Sequence, residues 1–222
     1  MNADEGQWFL FVFPYASLFS QILVACAVIY TRTRLVAEMR TLALYTILST
    51  AIGIFQLVLA LNRIDNQWTF QLFCPIQFIL LMTVFHSWNR RSFVDKYFLF
   101  SSVVYALGWI LGIIVSGSLE NTNTYADPIS GVILILAATY TLLRIERIEG
   151  TSLLDMPSFW VSSAVIIYFG GTIVLSSLNA PLLRLFKTSP EPTRLAWSTQ
   201  SIANVIGNIL YIRAFLCLRL KT

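Results

Sequence analysis

Charge is scarce in this 222-residue chain, and scarcest where a soluble protein would need it. Asp, Glu, Lys and Arg make up 12% of it and apolar residues 57%, whereas globular domains are about a quarter charged. So few charges cannot cover so much apolar surface, and the mean hydropathy of +0.72 agrees. Lipid is therefore the expected solvent for most of the chain.

The acids are few and peripheral. Asp4, Glu5, Glu38, Asp65, Asp95, Glu120, Asp127, Glu146, Glu149, Asp155 and Glu191 all fall in tails, loops or helix boundaries. Proton-driven pumps place a titrating group at membrane depth, and carboxylate catalysis needs two acids converging in a cleft. Neither is expected here. One histidine, His86 in FHSWNRR, is too few for a zinc site, which takes about three protein ligands. It reads as an interfacial residue among Trp88, Arg90 and Arg91. No lysine falls within a span, which excludes a Schiff base of the retinal type. A phosphate-cradling glycine loop with its lysine is lacking, and no base accompanies the serines. The chain is expected to be no enzyme and to need no cofactor or metal.

Three cysteines cannot all pair; Cys26, Cys74 and Cys217 read as packed small hydrophobes. N-x-S/T acceptors are missing throughout, which fits a prokaryotic plasma (inner) membrane. The MNADEGQ start lacks the basic region of a signal peptide, so the first span is expected to be retained.

What the sequence does have is long uncharged runs, at 6–31, 41–62, 66–89, 97–119, 128–143, 156–183 and 195–212. A crossing helix takes roughly 20 apolar residues, and a barrel strand about ten of alternating polarity. The runs do not alternate. The expected fold is a single all-α membrane domain over 1–222, with seven transmembrane helices near 8–30, 41–61, 70–88, 97–117, 128–145, 157–178 and 194–218. The two short runs need Arg144 and Arg213 to snorkel at their ends. Trp8, Trp68, Trp88, Trp160 and Trp197 sit near span ends, as interfacial belts do. Pro128 and Pro157 are expected at helix starts, and Pro14 and Pro75 one or two turns inside. The segment 179–194 is expected as the longest loop, with one interfacial turn.

With the N-terminus outside and the C-terminus inside, the inner segments hold Arg32, Arg34, Arg40, Arg90, Arg91, Lys96, Arg144, Arg147, Arg213, Arg219 and Lys221. The outer ones hold only Arg63, Arg184, Lys187 and Arg194. That asymmetry sets the expected orientation. It also accounts for the net charge of +4 without a nucleic-acid partner, since no basic stripe stands apart from the helix ends.

Sliding residues 39–62 onto 156–179 makes Met39/Met156, Gly53/Gly170, Leu61/Leu178 and Asn62/Asn179 coincide. A pair of three-helix units flanking a fourth helix resembles the layout of the seven-helix sugar-transporting and PQ-loop families. Their proline–glutamine pair is missing from the first span (Pro14-Tyr15) and the fifth (Pro128-Ile129); the nearest match, Pro75-Ile76-Gln77, is in the third. The resemblance is one of architecture alone.

The stretch SIANVIGNILYIRAF carries two amides and an arginine inside the last run. At 100° per residue, Trp197, Gln200, Ser201, Asn208 and Tyr211 fall within about 60° of Asn204, and Arg213 falls opposite. Ile202, Ile206 and Ile209 take the other side. Amides unpaired in hydrocarbon cost several kcal/mol, so Asn204 and Asn208 face protein, water or ligand. Interhelical glue and the wall of a polar cavity are both consistent with that. Tyr45, Ser49, Gly53 and Gln56 align on the second span, Ser101, Tyr105, Trp109, Gly112 and Ser116 on the fourth. The first span adds Ser17 and Gln21, the third Gln77. The candidate ligand-binding set is Asn204, Asn208, Gln200, Ser201, Tyr211, Gln77, Gln56, Tyr45 and Trp109. Uncharged amides, hydroxyls and aromatics suit a small neutral ligand. Three functions follow: a facilitative transporter, a seven-helix sensor read by a cytoplasmic protein partner, or a non-catalytic structural subunit.

Overall fold

The computed structural model describes residues 3–90, 92, 94–116, 119–145, 152–185 and 191–218. Arg91, Glu146, Arg147, Glu149, Lys187, Arg219 and Lys221 lie outside the described residues, as do the side chains of Trp8, Pro14 and Trp197. Among the described residues there are seven α-helices and no strand: α1 (Ala3–Thr31), α2 (Ala37–Leu61), α3 (Gln67–Trp88), α4 (Asp95–Ser116), α5 (Leu119–Leu143), α6 (Pro157–Leu185) and α7 (Glu191–Cys217). Short 3-10 turns follow α1 at Arg32–Arg34 and precede α6 at Leu153–Asp155.

Four segments are long and apolar enough to cross a bilayer: Tyr15–Arg34, Ala37–Leu61, Trp68–Trp88 and Asp95–Val115. Pro128–Leu143 and Pro157–Ile173 are apolar but shorter. This architecture fits a multi-pass membrane protein. Pro75 lies inside α3, as expected.

Two expectations about helix ends are corrected. Pro128 lies inside α5, which begins at Leu119, and α6 runs on to Leu185 while α7 begins at Glu191, so the described residues of 179–194 are helical. An uncharged run marks where a helix leaves hydrocarbon. The backbone ladder continues past that point wherever intrahelical bonds still form, and Leu182, Leu183, Arg184 and Leu185 are good helix formers.

The helices close a ring in chain order. α1 packs on α2 and α7, α3 on α2 and α5, and α6 on α5 and α7, while α4 stands outside against α3 and α5. Exchanging α1–α3 with α5–α7 maps this ring onto itself, but any six-helix ring in chain order has that property, so it adds nothing to the internal repeat.

One half of the ring is solid. Met39, Leu42, Phe78, Leu81, Met82, Phe85, Val161, Val165 and Phe215 are each at most 2% exposed. They lie toward the end that carries Arg40, Arg90, Arg144 and Arg213, here called the basic end. Hydrogen bonds tie that end together. Asn89 Nδ2 donates to Phe85 O and Thr141 Oγ1, both at 2.8 Å, joining α3 to α5. Trp160 Nε1 donates to Leu154 O at 2.7 Å, and the Arg213 guanidinium lies over the Trp160 ring at 5.8 Å. Arg213 thus serves the helix end, as its place on the wheel implied. His86 pairs with Asp95 across the α3–α4 turn, a partner nine residues on that the interfacial reading did not include.

Ile202, Ile206 and Ile209 are exposed, as expected for α7's outer side. The cysteines need one correction. None of the three is in a disulfide, and Cys74 and Cys217 are buried, but Cys26 is exposed. It sits about 180° from Ser17 on α1, on the side turned away from the bundle.

Candidate ligand cavity between α1, α2, α3 and α7

The other half of the ring is hollow. A cavity of about 570 Å³ lies between α1, α2, α3 and α7, with Tyr168 reaching it from α6. That is within the range of roughly 300–1,000 Å³ typical of small-molecule sites. Its lining rises from Val24, Tyr45 and Gln77 to Tyr15, Ala60 and the α2–α3 turn at Asn66. The lower residues border the packed core, and the upper ones lie toward the end opposite the basic one.

Seven of the nine candidate residues line this cavity: Gln56 and Tyr45 from α2, Gln77 from α3, and Gln200, Ser201, Asn204 and Asn208 from α7. Tyr211 is just beneath it, buried, with its ring edge against Tyr45 at a centroid distance of 6.0 Å. Trp109 is not brought to the cavity. It belongs to α4, outside the ring, where the neighbouring Tyr105 packs on Phe78 of α3 at 4.3 Å. At Tyr105 the fourth-span seam is therefore a packing face.

The two asparagines bridge helices. Asn204 Nδ2 donates to Ser17 Oγ at 2.7 Å, and Asn208 Nδ2 to Ser20 Oγ at 2.8 Å. A longer bond of 3.3 Å runs from Asn208 Nδ2 to Asn204 Oδ1. Ser20 Oγ donates its own proton to Ser17 O at 2.6 Å, so toward Asn208 it accepts. This chain joins α7 to α1, and of its members Ser17, Asn204 and Asn208 also border the cavity.

The opposite wall is organised by amides as well. Gln77 Nε2 donates to Tyr45 OH at 3.2 Å, fixing α3 against α2 at the cavity floor. Near the upper rim, Gln56 Nε2 donates to Thr69 Oγ1 at 2.9 Å, and Asn66 Nδ2 to Gln56 O at 3.1 Å. Thr50 Oγ1 stands 2.8 Å from Thr46 O and 3.2 Å from Gln21 O, sharing one proton between α2 and α1.

Sequence reasoning missed Ser20, Thr46, Thr50, Asn66 and Tyr168. Helical Ser and Thr usually bond a carbonyl one turn back, so they carry little cross-helix signal. Ser20 is about 60° from Ser17 on the wheel, and a wider seam on α1 includes it.

Gly53 shapes the α1–α2 side. A Cβ there would meet Gln21 Oε1 at 2.6 Å and Leu18 Cδ1 at 3.1 Å. Both are ends of flexible side chains. Gly53→Ala is therefore expected to cost less than about 1 kcal/mol, a fall in unfolding midpoint below roughly 4 °C in a detergent melt. It is also expected to push the Gln21 amide into the cavity and weaken solute binding there; unchanged binding would show that Gln21 stays put.

No family model, curated protein or solved structure matches this chain. The architectural resemblance to the PQ-loop families thus has no counterpart among them, and function rests on the cavity.

Proposed function

We propose that the chain is an integral membrane protein that binds a small neutral, hydroxylated or weakly polar solute in this cavity and passes it across the bilayer down its gradient. The observation that carries the proposal is the lining itself. Every described residue of a cavity of about 570 Å³ is uncharged, and amides and hydroxyls project from four helices among Ile52, Leu57, Phe70 and Phe73. Such a wall desolvates a neutral solute while replacing its hydrogen bonds, and a charged one would find no counter-charge. Binding without bond-breaking is part of the proposal, because the described lining offers no carboxylate, imidazole or thiol. The charge asymmetry of the loops turns the upper rim outward and the basic end toward the cytoplasm, in a plasma membrane of prokaryotic type.

A second reading is favoured by one observation: the packed layer between the floor and the basic end. A sensor needs a ligand cavity on one side and a rigid body to carry the signal to a cytoplasmic partner, and that layer supplies the body. Uptake by proteoliposomes of a panel of neutral sugars, polyols and amides separates the two. The transport proposal expects saturable equilibration of at least one solute, indifferent to an imposed proton gradient. Binding without any uptake would transfer the cavity to the sensor reading. A cavity that no water-soluble thiol reagent reaches, in a Gln200→Cys chain, would leave a structural subunit.

A further inference from the structure

The cavity's hydrogen-bonding capacity is unevenly spent. Asn208 uses its NH2 group on Ser20 Oγ and Asn204 Oδ1, and a flip of the amide is opposed by Ser20, whose proton is committed to Ser17 O. Its Oδ1 accepts nothing from any described residue. Across the floor, Gln77 turns its NH2 group to Tyr45 OH, and its Oε1 likewise accepts no bond. Both residues line the cavity, and neither oxygen is among the buried atoms left without a partner, so each is open to the cavity.

Two amide oxygens with protons to receive, on residues whose amide protons are already directed into the protein, make an acceptor-rich floor. An occupant that covers these acceptors without donating to them leaves each buried and unpaired at a cost of about 1–3 kcal/mol, so one that supplies protons is selected over one that cannot. Phe73 lines the same region and Phe70 stands a turn above it, giving an apolar flank. Amides without a carboxylate favour a neutral donor.

We infer that Asn208 and Gln77 are the specificity-determining residues of the cavity, and that its occupant is a neutral alcohol or polyol that enters hydroxyl first. The occupant's O–H groups donate to Asn208 Oδ1 and Gln77 Oε1, and its carbon frame lies against Phe73 and Phe70. This inference rests on the binding proposal above and narrows it.

Matched probes test it: phenyl β-D-glucoside against its tetra-O-methyl ether, and cyclohexane-1,2-diol against its dimethyl ether. The full chain in nanodiscs carries Gln200→Cys with Cys26, Cys74 and Cys217 replaced by Ala, and each probe is scored by how far it slows labelling by a water-soluble maleimide. The alcohols are expected to protect at concentrations about tenfold or more below their ethers, since a site built to bond a hydroxyl rejects the analogue lacking one. Asn208→Leu is expected to erase the difference. Where that variant does not fold, Gln77→Met, which leaves the α1–α7 bonds intact, makes the same test. Equal protection by ethers, or a preference that survives both substitutions, overturns the inference while leaving a solute cavity. Rapid labelling that no probe slows overturns it too. Failure of the maleimide to label at all sinks the binding proposal itself.

Discussion

A chain carrying Asn204→Leu and Asn208→Leu together is expected to unfold about 4–8 °C below the parent in a detergent melt, and to lose solute binding altogether. Three side-chain bonds disappear: Asn204–Ser17, Asn208–Ser20 and Asn208–Asn204. Bonds of this kind inside membrane bundles average about 0.6 kcal/mol, so the loss totals roughly 2 kcal/mol. For a chain of this size each kcal/mol moves the midpoint by about 2–4 °C. Binding suffers more than stability because the leucines also remove the Asn208 oxygen and thicken the apolar wall. The asparagines thus hold α1 to α7 with their nitrogens, while Asn208 turns its oxygen to the cavity. An unmoved midpoint with lost binding would leave them purely in the site. Loss of a monodisperse folded protein, with no measurable melt, would leave them purely as glue.

The sequence made some of this legible for reasons that are physical. The four long apolar spans of α1 to α4 were readable because charge is costly in hydrocarbon, although α1 and α2 each begin four or five residues before the expected start, at Ala3 and Ala37. The extents of α5, α6 and α7 were less so, because a helix that emerges into water no longer needs apolar residues to persist. Leu119 and Leu185 show it: α5 begins nine residues before its uncharged run, and α6 ends seven residues past the expected end at 178. Seams were readable as angles. Ser17, Gln21, Ser49, Gly53, Gln56, Asn204 and Asn208 share faces on their helices and do meet at one cavity. An angle does not name the neighbour it faces, however. Trp109 shares the α4 seam with Tyr105, and the same pattern that lines a cavity on α2 packs against Phe78 on α4. Which of two identical patterns is wet depends on where the ring closes. That is a tertiary fact, set by the packing of α1 on α7 and of α3 on α5. The His86–Asp95 pair was missed for a related reason, since its geometry depends on how sharply the chain turns between α3 and α4.

Phe85→Ala strikes the packed layer rather than the cavity, and its expected effect on stability is the largest of any discussed. Phe85 is 0% exposed and sits with Phe78, Leu81, Met82 and Leu42 in the layer beneath the floor. Emptying such a position costs about 3–5 kcal/mol, part from lost contacts and part from the hole left behind. The unfolding midpoint is then expected to fall by roughly 6–20 °C. Function should respond in a way that separates the two readings. A transporter must part this layer once per cycle to release solute toward the basic end, so loosening it lowers that barrier. Phe85→Leu, which removes less volume and keeps the fold, is expected to speed downhill uptake in proteoliposomes while leaving solute affinity unchanged. A sensor uses the same layer as a stiff coupler: loosening it yields no uptake, and ligand binding stops altering the protease sensitivity of the 32–40 segment. Faster uptake in Phe85→Leu would therefore count against the sensor, whereas unchanged zero uptake with intact binding would count against transport. The layer decides between them because only one reading requires it to open.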